Sequence, residues 1–181
     1  MERVQLFYKD LSEIVGSDGF AVARLTDAEE QRALSVICDK PMADQLSIRT
    51  LRRPDREQML PEVLISMLQA EESADFELMV YDVVDGQYRV TLLNRRTLSL
   101  KHIRMSDAVL MHIIARVPIF ISEALLNRQC SSYHPGRTGI SIPINTIDLE
   151  HLNKELKRAI EAEDYRLASH LHEEIQRRNK A

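Results

Sequence analysis

Asp85 and Gly86 stand between two runs in which apolar and polar residues alternate, Phe76 to Val84 and Gln87 to Leu93. An Asp-Gly pair takes two positive φ angles at little cost, and the tight turn it makes twists its flanking strands into register. This stretch is therefore an antiparallel hairpin, and an all-helical fold is excluded. Val4, Leu6 and Tyr8 alternate with polar residues, as do Val22, Arg24 and their neighbours, and Arg32 to Cys38 is an apolar-rich run, which predicts three strands before the hairpin. Thr97 to Ile103 and Pro118 to Ile121 read as two more. Helical spacing marks Pro41 to Leu51 and Gln58 to Gln69, the second with Leu60, Val63, Leu64, Met67 and Leu68 on one face and Pro61 tolerable only near its first turn. Ser106 is placed to cap a helix running through Ala115, and Ser122 a short one to about Arg128. The order is three strands, two helices, three strands, helix, strand, helix. That predicts an α+β domain with a mixed or antiparallel sheet.

The C-terminal segment follows a different period. Leu149, Leu152, Leu156, Ala159 and Ile160 fall three and four residues apart, as do Ala168, Leu171 and Ile175, and Glu161 to Asp164 interrupts the stripe with three acids in four residues. Two amphipathic arms joined by a polar turn form an antiparallel helix pair whose stripes face each other. Asp164 suits the N-cap of the second arm, which begins with Tyr165. Glu150 with Lys154, Glu173 with Arg177 and Glu174 with Arg178 are i, i+4 pairs on the outer faces. Arms of roughly 13 residues bury little apolar surface alone, so the pair is expected to rest on its own domain, on a second copy or on another protein.

A chain of 181 residues with 44% hydrophobic and 29% charged residues suits one globular domain with an appendage. The segment SSYHPGRTGISIPINT, from Ser131 to Thr146, holds two of the six prolines and two of the five glycines and reads as a linker. The expected division is a domain over 1–130, a linker over 131–147 and a helical hairpin over 148–181. Cys38 and Cys130 make neither a disulfide framework nor a metal site. No apolar run approaches the roughly 20 residues that span a bilayer, and Met1-Glu2-Arg3-Val4 is no signal peptide, so no membrane association is expected and the chain reads as cytoplasmic. A net charge of −4 argues against nucleic-acid binding through bulk positive charge and leaves a local patch open.

Two stretches resemble known families. The C-terminal pair resembles the UVR motif shared by the bacterial excision-repair proteins UvrB and UvrC, which implies a docking element for a protein partner, with Leu152, Leu156, Tyr165, Leu171 and Ile175 as its partner-binding residues. Arg104, Ser106-Asp107-Ala108-Val109 and Pro118-Ile119-Phe120-Ile121 resemble the signature of the bifunctional nuclease (BFN) family. There an arginine, one residue and then Ser-Asp-Ala open a helix that leads into a Pro-Ile-aromatic strand. The hairpin from Asp82 to Tyr88 and the pair Arg53-Pro54 fit the same family, and the resemblance covers about 125 residues. It implies nuclease activity toward DNA and RNA with a divalent metal, Mg²⁺ or Mn²⁺. The chain departs from the family pattern at Cys38-Asp39 and Met42-Ala43, where the family carries Ile-Gly and Glu-Ala, and at Arg56-Glu57-Gln58, where it carries Thr-His-Asp.

Metal-assisted phosphodiester hydrolysis needs carboxylates converging on the ion, a water and a cation near the leaving oxygen. Asp107, Asp82, Asp39, Asp44 and Glu57 are the candidate carboxylates and Arg104 the candidate cation. The site is expected where Arg104, Ser106 and Asp107 open their helix, although a cap and a first-turn acid are equally what a helix start requires. Arg49, Arg52, Arg53 and Arg56 form a basic cluster suited to nucleic-acid phosphates, diluted by Asp55 and Glu57. A second lies at Arg95, Arg96, Lys101 and Arg104. His102 and His112 lack neighbouring acids, and His170 and His172, two apart on a helix, point away from each other, so no structural zinc is expected. Two readings stay open: a nuclease recruited through its hairpin, and a catalytically degenerate BFN domain that acts as a binding or oligomerisation module or as a repair or stress adaptor. Self-association is expected in both.

Overall fold

The computed structural model describes residues 2–13, 20–51, 54–67, 75–133 and 149–179. The strands are β1 (Arg3–Glu13), β2 (Ala21–Thr26), β3 (Arg32–Cys38), β4 (Phe76–Val84), β5 (Gln87–Asn94), β6 (Ser99–Ile103), β7 (Ile119–Ser122) and the two-residue β8 (Ser131–Ser132). The α-helices among the described residues are α1 (Lys40–Thr50), α2 (Leu60–Ser66), α3 (Met105–Ala115), α4 (Glu123–Gln129), α5 (Leu149–Glu161) and α6 (Tyr165–Asn179). The α+β class and the order of elements follow the alternation of periods in the sequence.

One sheet runs in the order β6-β5-β4-β7-β1-β2-β3-β8. Neighbours are antiparallel except β4 and β7, which pair in parallel from Leu78 opposite Ile119 to Val80 opposite Ile121. A parallel pair needs a long crossover, and β5, β6 and α3 supply it. β1 is the seam of the sheet. Arg3 to Leu6 pairs with β7, and Phe7 to Glu13 pairs with β2, with a register shift between Tyr8 and Asp10. The turn between β4 and β5 is the expected one: Asp85 has φ 51° and Gly86 has φ 76°, both left-handed, as a primed hairpin turn requires.

Leu6, Leu25, Leu34, Leu78, Val80, Val90, Ile119 and Ile121 of the sheet pack with Leu46 of α1, Ala108 and Val109 of α3, and Leu125 and Leu126 of α4 in one buried cluster. Small Ala108 and Val109 let α3 lie close on the strands. Burial of each large side chain contributes roughly 1.5–3 kcal/mol against the conformational entropy lost on folding. At the other end of the sheet Asp27 is buried. Its Oδ1 accepts the backbone N–H groups of Gln31 and Arg32 at 2.9 and 3.2 Å, and its Oδ2 accepts Arg32 Nε at 2.8 Å. Arg32 Nη1 then donates to Glu123 Oε1 at 2.6 Å, which ties the turn between β2 and β3 to α4. Burial pushes the Asp27 pKa up, but the Arg32 guanidinium and the two backbone donors more than reverse this and hold it below the ordinary carboxylate value.

Several expectations are corrected in detail. Of the helix expected over 58–69, Gln58 ends a 3₁₀ turn, Pro54–Gln58, Leu60–Ser66 forms α2 with Pro61 in its first turn, and 68–69 lies outside the described residues. A stripe such as Leu60, Val63, Leu64 and Met67 ordinarily faces a core, yet no residue of α2 is buried. Ser106 is not the cap of α3: Arg104 holds the N-cap position with extended backbone and makes no side-chain cap bond. Ser122 does cap α4, its Oγ accepting the Leu125 N–H at 3.3 Å. The segment expected to be linker begins with β8, which pairs with β3, and 134–148 lies outside the described residues.

The C-terminal pair closes on itself. Leu152, Ala159, Ala168, Leu171 and Ile175 form a separate buried cluster, with Leu149 and Leu156 partly buried against it. Asp164 Oδ1 accepts the Leu167 N–H at 3.0 Å, so it is the N-cap of α6, and Glu163 turns the chain with φ 56°. Lys154 meets Glu150 at 3.0 Å and Arg178 meets Glu174 at 2.7 Å. Of the five residues expected to bind a partner, Leu152, Leu171 and Ile175 are consumed by the pairing of the arms and Leu156 is partly covered, while Tyr165 is 70% exposed. His151 of α5 meets the Phe20 ring edge-on, with centroids 4.4 Å apart. Among the described residues no helix is long and apolar enough to cross a membrane.

Candidate functional site

An open cleft of about 940 Å³ lies where the β4–β5 hairpin, the end of β6, the start of α3 and the end of β3 meet. Its polar lining includes Asp39, Tyr81, Asp82, Arg89, His102, Arg104 and Ser106. The backbone explains why these side chains meet. The pairing of β4 with β5 steps from Val80 opposite Val90 to Asp82 opposite Arg89, which leaves Tyr81 as the extra residue of a bulge. A bulge re-aims the side chains around it. Here it turns Tyr81 out of the strand's alternation and puts a carboxylate and a guanidinium opposite each other at the rim. Tyr81 Oη approaches His102 Nδ1 at 3.5 Å, and the two rings lie 6.2 Å apart at 53°.

Arg104 and Ser106 reach the cleft, as the sequence leads one to expect, but Asp107 does not line it. Asp107 takes the Arg104 fork in two hydrogen bonds, Nε to Oδ2 at 2.6 Å and Nη2 to Oδ1 at 3.1 Å. That pairing, with the Asp39 charge adding to it, raises the Arg104 pKa, so this guanidinium stays charged. The pair is solvent-exposed on the Arg104 side, which keeps its contribution to stability small. Its effect is to orient: Asp107 fixes where the guanidinium lies at the mouth of the cleft. The first turn of α3 has no side-chain cap and its Met105 and Ser106 line the cleft, so backbone N–H groups and the positive end of the helix dipole face the same space.

The two cleft carboxylates each have one oxygen committed locally. Asp39 Oδ1 accepts the Met42 N–H at 2.9 Å as N-cap of α1, and Asp82 Oδ1 accepts the Val83 N–H at 2.8 Å. Among the described residues no group of three or more His, Cys, Asp or Glu is gathered to hold an ion. An all-protein metal cage is therefore not formed by these residues. A Mg²⁺ or Mn²⁺ bound through one or two carboxylates, waters and substrate phosphates needs no such cage, and the carboxylates that line the cleft are Asp39 and Asp82.

The remaining candidates go elsewhere. Arg49 is buried in α1, where Nη1 donates to Gln45 O at 2.7 Å and Nη2 to Glu62 Oε2 at 2.6 Å, so it is a structural residue and the basic loop cluster loses it. Arg52 and Arg53 lie outside the described residues, and Arg56 is half-buried in the 3₁₀ turn. In the second cluster Arg96 pairs with Asp75 at 3.2 Å. His112 is buried in α3 and its Nδ1 donates to the Val117 carbonyl at 2.9 Å; burial lowers its pKa, so the ring is neutral. It holds the left-handed Arg116 turn at the end of α3. Tyr81, Arg89 and His102 are the cleft residues that sequence reading passed over as sites. The signal for Arg89 was its polar position just after the Asp-Gly turn; the bulge that exposes Tyr81 has no sequence signal of its own.

Compared with known proteins, the chain matches no family model and no curated sequence.

Proposed function

We propose that the chain is a phosphodiesterase of the bifunctional-nuclease type, acting on DNA or RNA at the cleft between the β4–β5 hairpin and α3, with the C-terminal hairpin as a UVR-like protein-docking arm. The observation that carries this reading is the convergence on one concave surface of the uncapped start of α3, two guanidinium groups (Arg89 and Arg104) and two carboxylates (Asp39 and Asp82). Anionic phosphate oxygens suit the helix start and the arginine forks, and Asp107 holds one fork in place. Tyr81 and His102 offer ring faces at the rim on which a base can stack. A divalent ion held by Asp39 and Asp82 would polarise the phosphoryl oxygen and lower the pKa of a bound water. His102 is the imidazole of the cleft and the residue positioned to take or give a proton there.

A second reading rests on a specific observation too. The Arg104 fork is filled by Asp107, and Asp39 serves as a helix cap, which is how a binding surface without hydrolysis would be built. One experiment separates the two. Purified chain is incubated with fluorescent single- and double-stranded DNA and RNA in Mg²⁺ or Mn²⁺, beside Asp82→Asn and Arg89→Ala. Nuclease function predicts cleavage that falls by roughly 100-fold in both variants, the size typical for losing one electrostatic group at a reacting centre. Equal inertness of all three, with anisotropy showing that Arg89→Ala no longer binds nucleic acid, would overturn hydrolysis and leave the binding module.

A further inference from the structure

Helix α2 is amphipathic with its sides reversed. Arg49 is 4% exposed and draws Glu62, in the first turn of α2, into an ion pair at 2.6 Å that is buried on the Arg49 side. Residues three and four apart share a helix face, so pinning Glu62 inward turns Leu60, Val63, Leu64 and Met67 outward together. They are 70%, 39%, 55% and 76% exposed. A helix of seven residues cannot hold this attitude by propensity. The ion pair with Arg49 holds it. A fold that spends an ion pair to face leucine and methionine toward solvent presents a surface.

We infer that this face is the contact between two copies of the chain, α2 packing against its symmetry mate across a two-fold axis. Three observations favour a second copy. First, the face carries no charge at positions 60, 63, 64 and 67, and a two-fold contact lays each residue near its own equivalent, where a charge would meet its like. Second, the exposed area of the four side chains is on the order of 400 Å², so two faces together cover on the order of 800 Å² before rim residues are counted, close to the lower bound of about 1,000 Å² for a specific interface. Third, the C-terminal hairpin cannot fill the face with its own stripe, because Leu152, Leu171 and Ile175 are buried between its arms. The patch lies beside α3, on which α2 packs. The dimer therefore braces the helix whose start opens into the cleft.

Sedimentation velocity of the full-length chain across a range of micromolar concentrations, with Leu64→Glu and Tyr165→Glu alongside, tests the inference. The expected result is a reversible dimer that Leu64→Glu weakens by more than roughly tenfold, with unchanged circular dichroism, and that Tyr165→Glu leaves intact. Leu64→Cys should also give a covalent dimer on mild oxidation, since a two-fold axis through the face brings the two introduced thiols together; this reads the contact even if the charged variant folds poorly. A wild type that stays monomeric throughout would overturn the inference. So would a dimer that ignores Leu64→Glu and is lost in Tyr165→Glu, which would put the contact on the hairpin, or a Leu64→Cys chain that never cross-links.

Discussion

The sheet domain and the C-terminal hairpin solve the same problem with opposite means. The domain buries its core through contacts between residues far apart in the chain: Leu6 lies against Ile119 across the β1–β7 ladder, and α1, α3 and α4 all press on one cluster. The hairpin buries five small or medium side chains between neighbours in sequence. What differs is cooperativity. Removing one domain residue loosens many elements together, whereas the hairpin's buried cluster joins only its own two arms. The residues placed around the cleft belong to the cooperative part, where positions are held from several directions. The C-terminal hairpin belongs to the part that can rearrange.

Truncations in the two cores give the sharpest test of this contrast. Leu78→Ala removes a fully buried side chain from the centre of the sheet and is expected to destabilise the whole domain by about 3–4 kcal/mol, seen as a lower denaturant midpoint. Leu171→Ala should cost about 2–3 kcal/mol but only locally. Hydrogen exchange would rise in α5 and α6 and stay unchanged in β4 and β7. Equal loss of protection in the sheet would mean that the two regions fold as one unit. Asp164→Ala removes the N-cap of α6 and should loosen the hairpin by about 1 kcal/mol, again without touching the sheet.

Acid should act on the domain first and in two stages. The folded state holds His112 with its pKa below the ordinary 6.5, so the unfolded chain takes the proton more readily and domain stability declines as pH falls below about 6.5. Asp27 lies below its ordinary 3.8, so the stability it supplies is complete above that value and is lost as pH falls further. His112→Asn, whose amide reaches toward the Val117 carbonyl as Nδ1 does, should remove the first stage and keep the second in pH-dependent urea unfolding. Persistence of the first stage in that variant would place the titration elsewhere.

Sequence periodicity was enough to order β1 to β7 and α1 to α4, because each is written in local spacing and the Asp85-Gly86 turn has few conformations open to it, while the two-residue β8 fell in the expected linker. It failed where tertiary contact overrides local pattern. The stripe on α2 reads as core-facing, and only the distant ion pair between Arg49 and Glu62 reverses it. The same contact removes Arg49 from the basic cluster. Around the cleft, Arg104 and Ser106 were legible from the motif that opens α3. Tyr81 and Arg89 were not, since a bulge depends on how two strands slip past each other and no single strand records it. Asp107 was legible as a first-turn acid but its direction was not, because a carboxylate at the third helical position can face a ligand or fold back on the cap.

The double allegiance of β1 has a consequence for the birth of the protein. Its first four residues wait for β7, more than a hundred residues downstream, while its second half can pair at once with β2. At ribosomal speeds of about 5–20 residues per second, the strand that closes the sheet arrives on the order of ten seconds after the strand it must join. During that interval the nascent chain holds β1–β2–β3 as a half-sheet with the β1 edge open toward β7 and the β3 edge open toward β8. A chaperone that recognises exposed strand edges would have its longest opportunity there, and the release of β7 from the ribosome would end it.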